Sequence, residues 1–406
     1  MTSAAPARRS AALSFIFIAV VIDMIALGVI IPVLPRLIEG FVGSTQGAAW
    51  INGVFVGVWA LMQFVCSPIL GSLSDRYGRR PVILLSMTGL GLDYMLMALA
   101  PNLAWMLVGR IVSGVTSSSI STAFAYIADV TPEEKRAGAY GMMGAAFGLG
   151  FILGPALGGV LGDISPRLPF WLAAGLCLVN ALYGVLVLPE SLAKDRRAAF
   201  SWKRANPVGS LVLLRSHPEL AGLASVNFLA QCAHAVLPTV FVLYAGHRFG
   251  WTPKIVGLAM AGIGVCSAVI QGGLTGWVVK RLGERGTMSL ALLCGAMGLA
   301  IYGLAPNGWI FAAGLPIVSL WGMAGPSTQA LMTRLVAPTE QGQLQGANMS
   351  LSSIAGVIAP LAFGFAYSLS IGASPLALGA PFYLASVLLL AAALVAQGAA
   401  RAAVQA

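Results

Sequence analysis

The chain has 406 residues, of which 58% are hydrophobic and only 9% charged, and its mean hydropathy is +0.88. A soluble domain carries about a quarter charged residues, so this composition excludes one and calls for an integral membrane protein. The net charge of +10 does not call for nucleic acid, because the basic residues fall in short loops on alternate sides of the apolar segments, as membrane topology requires.

A membrane span needs about 20 apolar residues. Twelve windows meet that length: 14–35, 50–71, 81–100, 104–127, 137–161, 169–188, 220–244, 255–279, 287–305, 309–332, 345–370 and 375–396. An all-α membrane protein with twelve transmembrane helices is expected, with no room for a soluble domain. The first window follows Arg8 and Arg9. It is too long for the apolar core of a secretory signal, and no Ala-x-Ala site follows it, so it reads as a retained helix. Within it stands Asp23. A charged side chain at mid-span costs roughly 2.5–3.5 kcal/mol on insertion scales and is retained for a reason. No partner at its own depth is evident, so Asp23 is expected to be free to change protonation and to carry protons. The second window holds Asn52, Trp59 and Gln63.

Gly71-Ser72-Leu73-Ser74-Asp75-Arg76-Tyr77-Gly78-Arg79-Arg80-Pro81 follows, too polar for hydrocarbon and therefore a tight turn at a membrane surface. Its excess of arginine marks that surface as cytoplasmic. Placing the N-terminus on the same side puts 18 of the 23 Lys and Arg there, so both termini are expected in the cytoplasm. The third window contains Asp93 and the fourth Arg110, each ~10 Å from the outer end of its helix at ~1.5 Å per residue. One reading makes them an ion pair that fixes packing; the other gives them a part in proton coupling. Asp129 closes the fourth window, where Arg76 to Arg80 are expected to latch onto it. In the fifth, Pro155 removes a helix bond and bends the span, while Gly154, Gly158 and Gly159 let a neighbouring backbone approach closely. Tight packing and gating would use the same residues.

The longest polar interruption, 189–219, divides the chain into halves 1–188 and 220–406 and reads as a cytoplasmic linker. The halves look like copies. Gly276 to Arg285 repeats the shape of Gly71 to Arg80 at an offset of 205 residues, and Pro338 to Gly346 echoes Pro132 to Gly141 at 205 to 206. Two landmarks at one spacing argue for internal duplication. Paired six-helix halves with a substrate site near the midplane are the architecture of a secondary transporter. There is no G-x-x-x-x-G-K-[ST] phosphate loop, which leaves an ion gradient as the energy source.

The second-half spans contain no acidic residue. Their one imidazole is His234, four residues before Pro238, a satisfied packing residue or a proton site. Asn52, Gln63, Asn227, Gln231, Gln271, Gln329 and Asn348, with Trp321 among the aromatics, are candidate substrate contacts; a few amides in an aromatic cavity suit an amphiphilic, partly planar drug better than a sugar. Each is equally able to make a helix-to-helix hydrogen bond worth about 0.6 kcal/mol. The five cysteines, 66, 177, 232, 266 and 294, all fall inside spans in no metal or redox spacing and read as small packing residues.

The turn from Gly71 through Asp75, Arg76, Gly78, Arg79 and Arg80 resembles the G-x-x-x-D-R-x-G-R-R loop of the major facilitator superfamily, and Gly150 to Gly159 looks like the G-x-x-x-G-P-x-x-G-G signature of its exporting members. The resemblance narrows with Asp23 to Pro35, Trp59 to Phe64, Leu92-Asp93-Tyr94, Ala125 to Val130, Leu282-Gly283-Glu284-Arg285 and Gln341 to Gly346, which are similar to the bacterial tetracycline/proton antiporters along nearly the full length. It implies a proton-coupled exporter of an amphiphilic drug in the bacterial inner membrane, a monomer without cofactor or metal and not an enzyme. Those antiporters carry a histidine in span 8 and an aspartate in span 9, linked to proton coupling; here the places hold Ser267 and Gly295. Rival expectations are proton-coupled transport of another metabolite and a non-transporting membrane sensor.

Overall fold

A computed structural model describes residues 6–117, 120–200, 206, 209–217, 220–337 and 340–405, and among them no strand occurs. Among the described residues, eleven helical stretches are long and apolar enough to cross a membrane. One of them, Pro253–Leu304, is 52 residues long. At ~1.5 Å per residue it would measure ~78 Å, more than twice a ~30 Å hydrocarbon core. Helical geometry breaks inside it at Gly283, with φ 69° and ψ 172°, between the eighth and ninth windows of the sequence. Large apolar side chains such as Leu186 and Ile164 stay 75% and 72% exposed, which suits a lipid environment and no aqueous one.

By contact density the chain forms two compact units: Met1–Leu34 with Met62–Asn206, and Pro35–Leu61 with Pro207–Ala406. The first contains α1 (Pro6–Ile30), the later part of α3 (Thr45–Tyr77), α4 (Arg79–Leu99), α5 (Leu103–Thr116), α6 (Ile120–Val130), α7 (Glu133–Ile164) and α8 (Leu168–Val187); α2 (Leu34–Val42) and the start of α3 fall to the second. The remaining helices of the second are α9 (Leu213–Ser216), α10 (Leu220–His234), α11 (Val236–Phe249), α12 (Pro253–Val269), α13 (Thr275–Leu304), α14 (Gly308–Ser319), α15 (Ala324–Arg334), α16 (Gln341–Ser370) and α17 (Ala380–Gln405).

Each unit has its own core. In the first, Phe15, Ile16, Met24, Tyr126, Ile127 and Met143 pack where α1, α6 and α7 meet. In the second, Phe241, Tyr244, Tyr302, Phe311 and Phe382 form an aromatic cluster, with the Tyr302 and Phe311 rings stacked at 4.2 Å. Local signals recur at the duplication offset. The Asn102 side chain accepts from the Trp105 N–H at 3.2 Å to cap α5, and Asn307 accepts from the Ile310 N–H at 3.0 Å to cap α14, each satisfying an amide that the first helical turn leaves without a partner.

Candidate functional site

In the first unit, α1 and α7 meet along glycines. A methyl group added to Gly28 would lie 2.9 Å from the Gly150 carbonyl oxygen and 3.0 Å from the Gly154 Cα, so only hydrogen at 28 permits this approach. Pro155 reaches the same seam; Gly158 abuts the Val29 backbone, and Gly159 is buried. This contact fixes the face of α1 that carries Asp23.

Asp23 is half-buried, and its Oδ1 accepts from Asn180 Nδ2 on α8 at 3.1 Å. The same amide nitrogen donates to the Ala19 carbonyl at 3.0 Å, while Asn180 Oδ1 has no partner. The expectation that Asp23 lacks a partner at its depth is thus corrected. The partner is a neutral amide, which was passed over as one more asparagine in the span 169–188. Asp93 is 2% exposed on α4, and Arg110 is 7% exposed on α5. Gly109, with no side chain, lets α5 come close enough that an added methyl would stand 2.9 Å from Asp93 Oδ1. The Arg110 charge and Ser113 face the carboxyl, yet neither Asp93 oxygen completes a hydrogen bond. The two residues share a buried site.

At one end of this unit the turn closes around Arg79. Its Nη1 meets Asp75 Oδ1 at 2.5 Å and Ser74 Oγ at 2.7 Å, and its Nε donates to Asp129 Oδ2 at 3.2 Å. Gly78 adopts φ 110° and ψ 159°, a region open essentially to glycine alone. That conformation presents the Arg79 N–H to Glu190 Oε1 at 2.8 Å. Arg80 donates to the Val185 carbonyl at 2.8 Å, the Gly71 carbonyl accepts from Ser74, and Arg76 lies over the Tyr77 ring at 5.1 Å, exposed. The latch to Asp129 therefore belongs to Arg79. Glu190 and Ser191, whose Oγ donates to Asp129 at 3.0 Å, were missed; the signal was an acid and a hydroxyl just past the sixth window.

The second unit holds a cavity of about 260 Å³. Asn227, Gln231, His234, Gln271 and Trp321 line it together, joined by Ser267. His234 keeps surface open to it, and its ring centroid lies 5.6 Å from that of Trp321. The other amides named from sequence lie elsewhere. Asn348 accepts from Asn227 at 3.3 Å and donates to Gln329 Oε1 at 2.9 Å, tying α10, α15 and α16 together outside the lining. Asn52 is fully buried and donates to the Thr239 carbonyl at 2.8 Å, a helix-to-helix bond. Gln63 is half-buried on α3. Gly295 sits beneath Trp321: a methyl there would come within 2.9 Å of the Trp321 Cβ and Cγ.

The described residues contain no cluster of His, Cys, Asp and Glu suited to a metal ion.

Known proteins resemble this chain in sequence and in fold. Residues 16–360 match the sequence profile of the Major Facilitator Superfamily. The chain is similar to the class C tetracycline resistance protein of Escherichia coli, 38% identical over 351 residues that span 86% of this chain and 88% of that one. It is also similar to the class G tetracycline resistance protein of Vibrio anguillarum, 38% identical over 369 residues, 90% of this chain and 92% of the other. In fold it resembles a bacterial homologue of the human lysosomal transporter Spinster, crystallised inward-facing and unoccupied, with a TM-score of 0.80, 16% identity and 99% of both chains covered. The chain belongs to the major facilitator superfamily, and within it to the tetracycline efflux branch.

Proposed function

We propose that this protein exports a tetracycline-type amphiphile from the bacterial cytoplasm in exchange for protons, as a monomer in the inner membrane with both termini inside and no catalytic chemistry. The halves 1–188 and 220–406 serve as its two moving parts, joined by the linker 189–219. The observation that carries the reading is Asp23, an acid inside a span whose partner is the neutral Asn180 amide. An arginine partner would hold the carboxylate charged. An amide tolerates both protonation states, because it donates to the carboxylate and still offers Oδ1 as an acceptor. Asp93 and Arg110 supply the neighbouring charges, His234 is the titratable group of the other unit, and Ser267 and Gly295 leave the first-half carboxylates as the main coupling sites. One carboxylate suffices energetically. A proton moving down ~100 mV gains about 2.3 kcal/mol, enough for a drug gradient of roughly 40-fold at ~1.4 kcal/mol per decade.

Inverted membrane vesicles with an imposed pH step test this. The parent should accumulate tetracycline, and Asp23→Asn should bind the drug yet lose uphill accumulation, since the amide imitates the protonated acid permanently. Undiminished accumulation by that variant would remove Asp23 as the carrier; no accumulation by the parent would remove the substrate.

A further inference from the structure

Three helices of the second unit lose α geometry where they line the cavity. Helix α10 stops at His234 and α11 begins at Val236, and between them Ala235 tightens to a turn in which its N–H donates to the Cys232 carbonyl at 3.2 Å. Between α12 and α13, Ile270–Leu274 forms a π-helical turn that carries Gln271. Beyond Pro316 in α14, Leu320–Met323 tightens to a 3-10 turn that carries Trp321. All three lie inside stretches long enough to span a membrane. Irregular backbone at that depth is tolerated only where protein covers it or a cavity receives its polar groups, and π turns recur at functional sites. The Ile270 carbonyl accepts both the Thr275 N–H and, at 2.9 Å, Thr275 Oγ1. Three breaks converging on one cavity therefore have a common purpose in shaping it.

The lining decides what enters. Among its residues there is no Asp, Glu, Lys or Arg. A cation or anion buried there would lose its hydration without a counter-charge. Asn227 and Gln231 each donate to a residue of α16, Asn348 and Ser352. The Gln271 amide is exposed in the wall, beside Gly322, and the His234 ring is open as well. Between these polar groups the Trp321 indole, 8% exposed and seated against α13 because residue 295 has no side chain, shows part of its ring to the cavity. A Cβ at 295 would also lie 2.8 Å from Leu389 Cδ1, so the helix face has no slack on either side. A volume of about 260 Å³ compares with the ~150 Å³ that holds one benzene ring. It accommodates a ring or two of a fused system, with the rest of a larger ligand extending through its open side.

We infer that Trp321, positioned by Gly295, is the stacking surface for the flat, uncharged ring portion of the transported amphiphile, and that this cavity turns away compact organic cations. The inference rests on the export reading above and names the part of the ligand that this site selects. Gln271 and His234 hydrogen-bond the polar edge of the ring, and Trp321 fixes its plane. Gly295 acts through Trp321 as a positioning residue.

The test uses the full-length protein in detergent for equilibrium dialysis with labelled tetracycline, and in inverted vesicles for pH-driven uptake. Trp321→Phe should bind within about twofold of the parent, and Trp321→Ala roughly tenfold more weakly, as loss of an aromatic contact predicts. Gly295→Ala should raise KM in the same direction with maximal uptake little changed, a split that general misfolding would not give. N-methylpyridinium, a flat cation of one ring, in 100-fold excess, a ratio chosen on the order of ~2.7 kcal/mol of mass action, should fail to displace tetracycline. If Trp321→Ala binds as the parent does while vesicles still pump the drug, the inference falls and the export reading stands. Equal losses in Trp321→Phe and Trp321→Ala overturn the stacking role, and displacement by the cation overturns the selectivity. A parent that neither binds nor pumps tetracycline sinks the export reading, and the inference with it.

Discussion

The turn 71–80 and its echo 276–285 share a backbone and differ in where the acid stands, Asp75 before the glycine and Glu284 after it. Gly78 and Gly283, 205 residues apart, both hold positive φ, 110° and 69°, with ψ near the extended value, in a region essentially reserved for glycine. The residues that follow and their partners also correspond at that offset. Arg79 pairs with Asp129 in the first half; Glu284 pairs with Arg334 in the second. The polarity is inverted while the geometry is kept. What differs further is the surroundings. Arg79 is 12% exposed and has Asp75, Ser74 and Asp129 around it, whereas Arg334 is 64% exposed and its pair stands alone. Duplication preserved the place for an ion pair, and the first copy built a network on it.

The largest effect that would break this comparison is a charge exchange. Arg79→Asp with Asp129→Arg gives the first turn the polarity of the second, but it leaves Asp75 facing an acid and Ser74 without its donor. We expect a loss of about 2–3 kcal/mol in stability, in the range for breaking partly buried charge networks, and transport slowed at least tenfold. The reverse exchange, Glu284→Arg with Arg334→Glu, should keep uptake within about twofold, because an exposed pair is worth about 0–1 kcal/mol in either polarity. Thermal unfolding in detergent and vesicle uptake measure both. Equal tolerance of the two exchanges would show that the first network adds nothing to the pair.

Next in size are the glycines. Gly78→Ala and Gly283→Ala each force a side chain into a conformation that costs on the order of 1–3 kcal/mol. At Gly283 nothing lies within 4 Å of the added methyl. At Gly78 the methyl meets the Glu190 carboxylate that accepts from the Arg79 N–H, so that cap is displaced too. Gly78→Ala should therefore be the more destabilising by about 1 kcal/mol, the value of a cap. A larger drop in unfolding temperature for Gly283→Ala would contradict the equivalence of the two turns.

Much of this was legible in the sequence, and the exceptions share a cause. Apolar windows placed the spans because bilayer thickness fixes their length, and the 205-residue offset showed that the turn 71–80 recurs at 276–285. Hydropathy carries no information about which helix a residue faces. Thus Asn180, the partner of Asp23, was passed over, while Asn348 and Gln329, which bond to each other, read as substrate contacts. The break at Gly283 was hidden for a related reason. A glycine inside a helical pattern looks the same whether it is tolerated or required, and only its φ of 69° separates the cases. For Trp321 the sequence offered an aromatic in a span, but not the vacancy at Gly295 on another helix that seats it.

The smallest effect isolates the second copy itself. Arg334→Gln removes one partner of an ion pair whose arginine is 64% exposed, and Glu284, 23% exposed, keeps access to water. The loss should lie below about 1 kcal/mol, and it should shrink further as salt is raised from 0.1 to 1 M, where the screening length falls from about 10 Å to about 3 Å. The corresponding Arg79→Gln removes an arginine that is only 12% exposed and is shared by Asp75 and Asp129, so its cost should change less over the same salt range. Unfolding temperatures of the two variants and the parent at both salt concentrations give the four differences required. A salt-insensitive penalty for Arg334→Gln would mean that the second pair is held by neighbours as the first is. The contrast between the copies would then reduce to polarity alone.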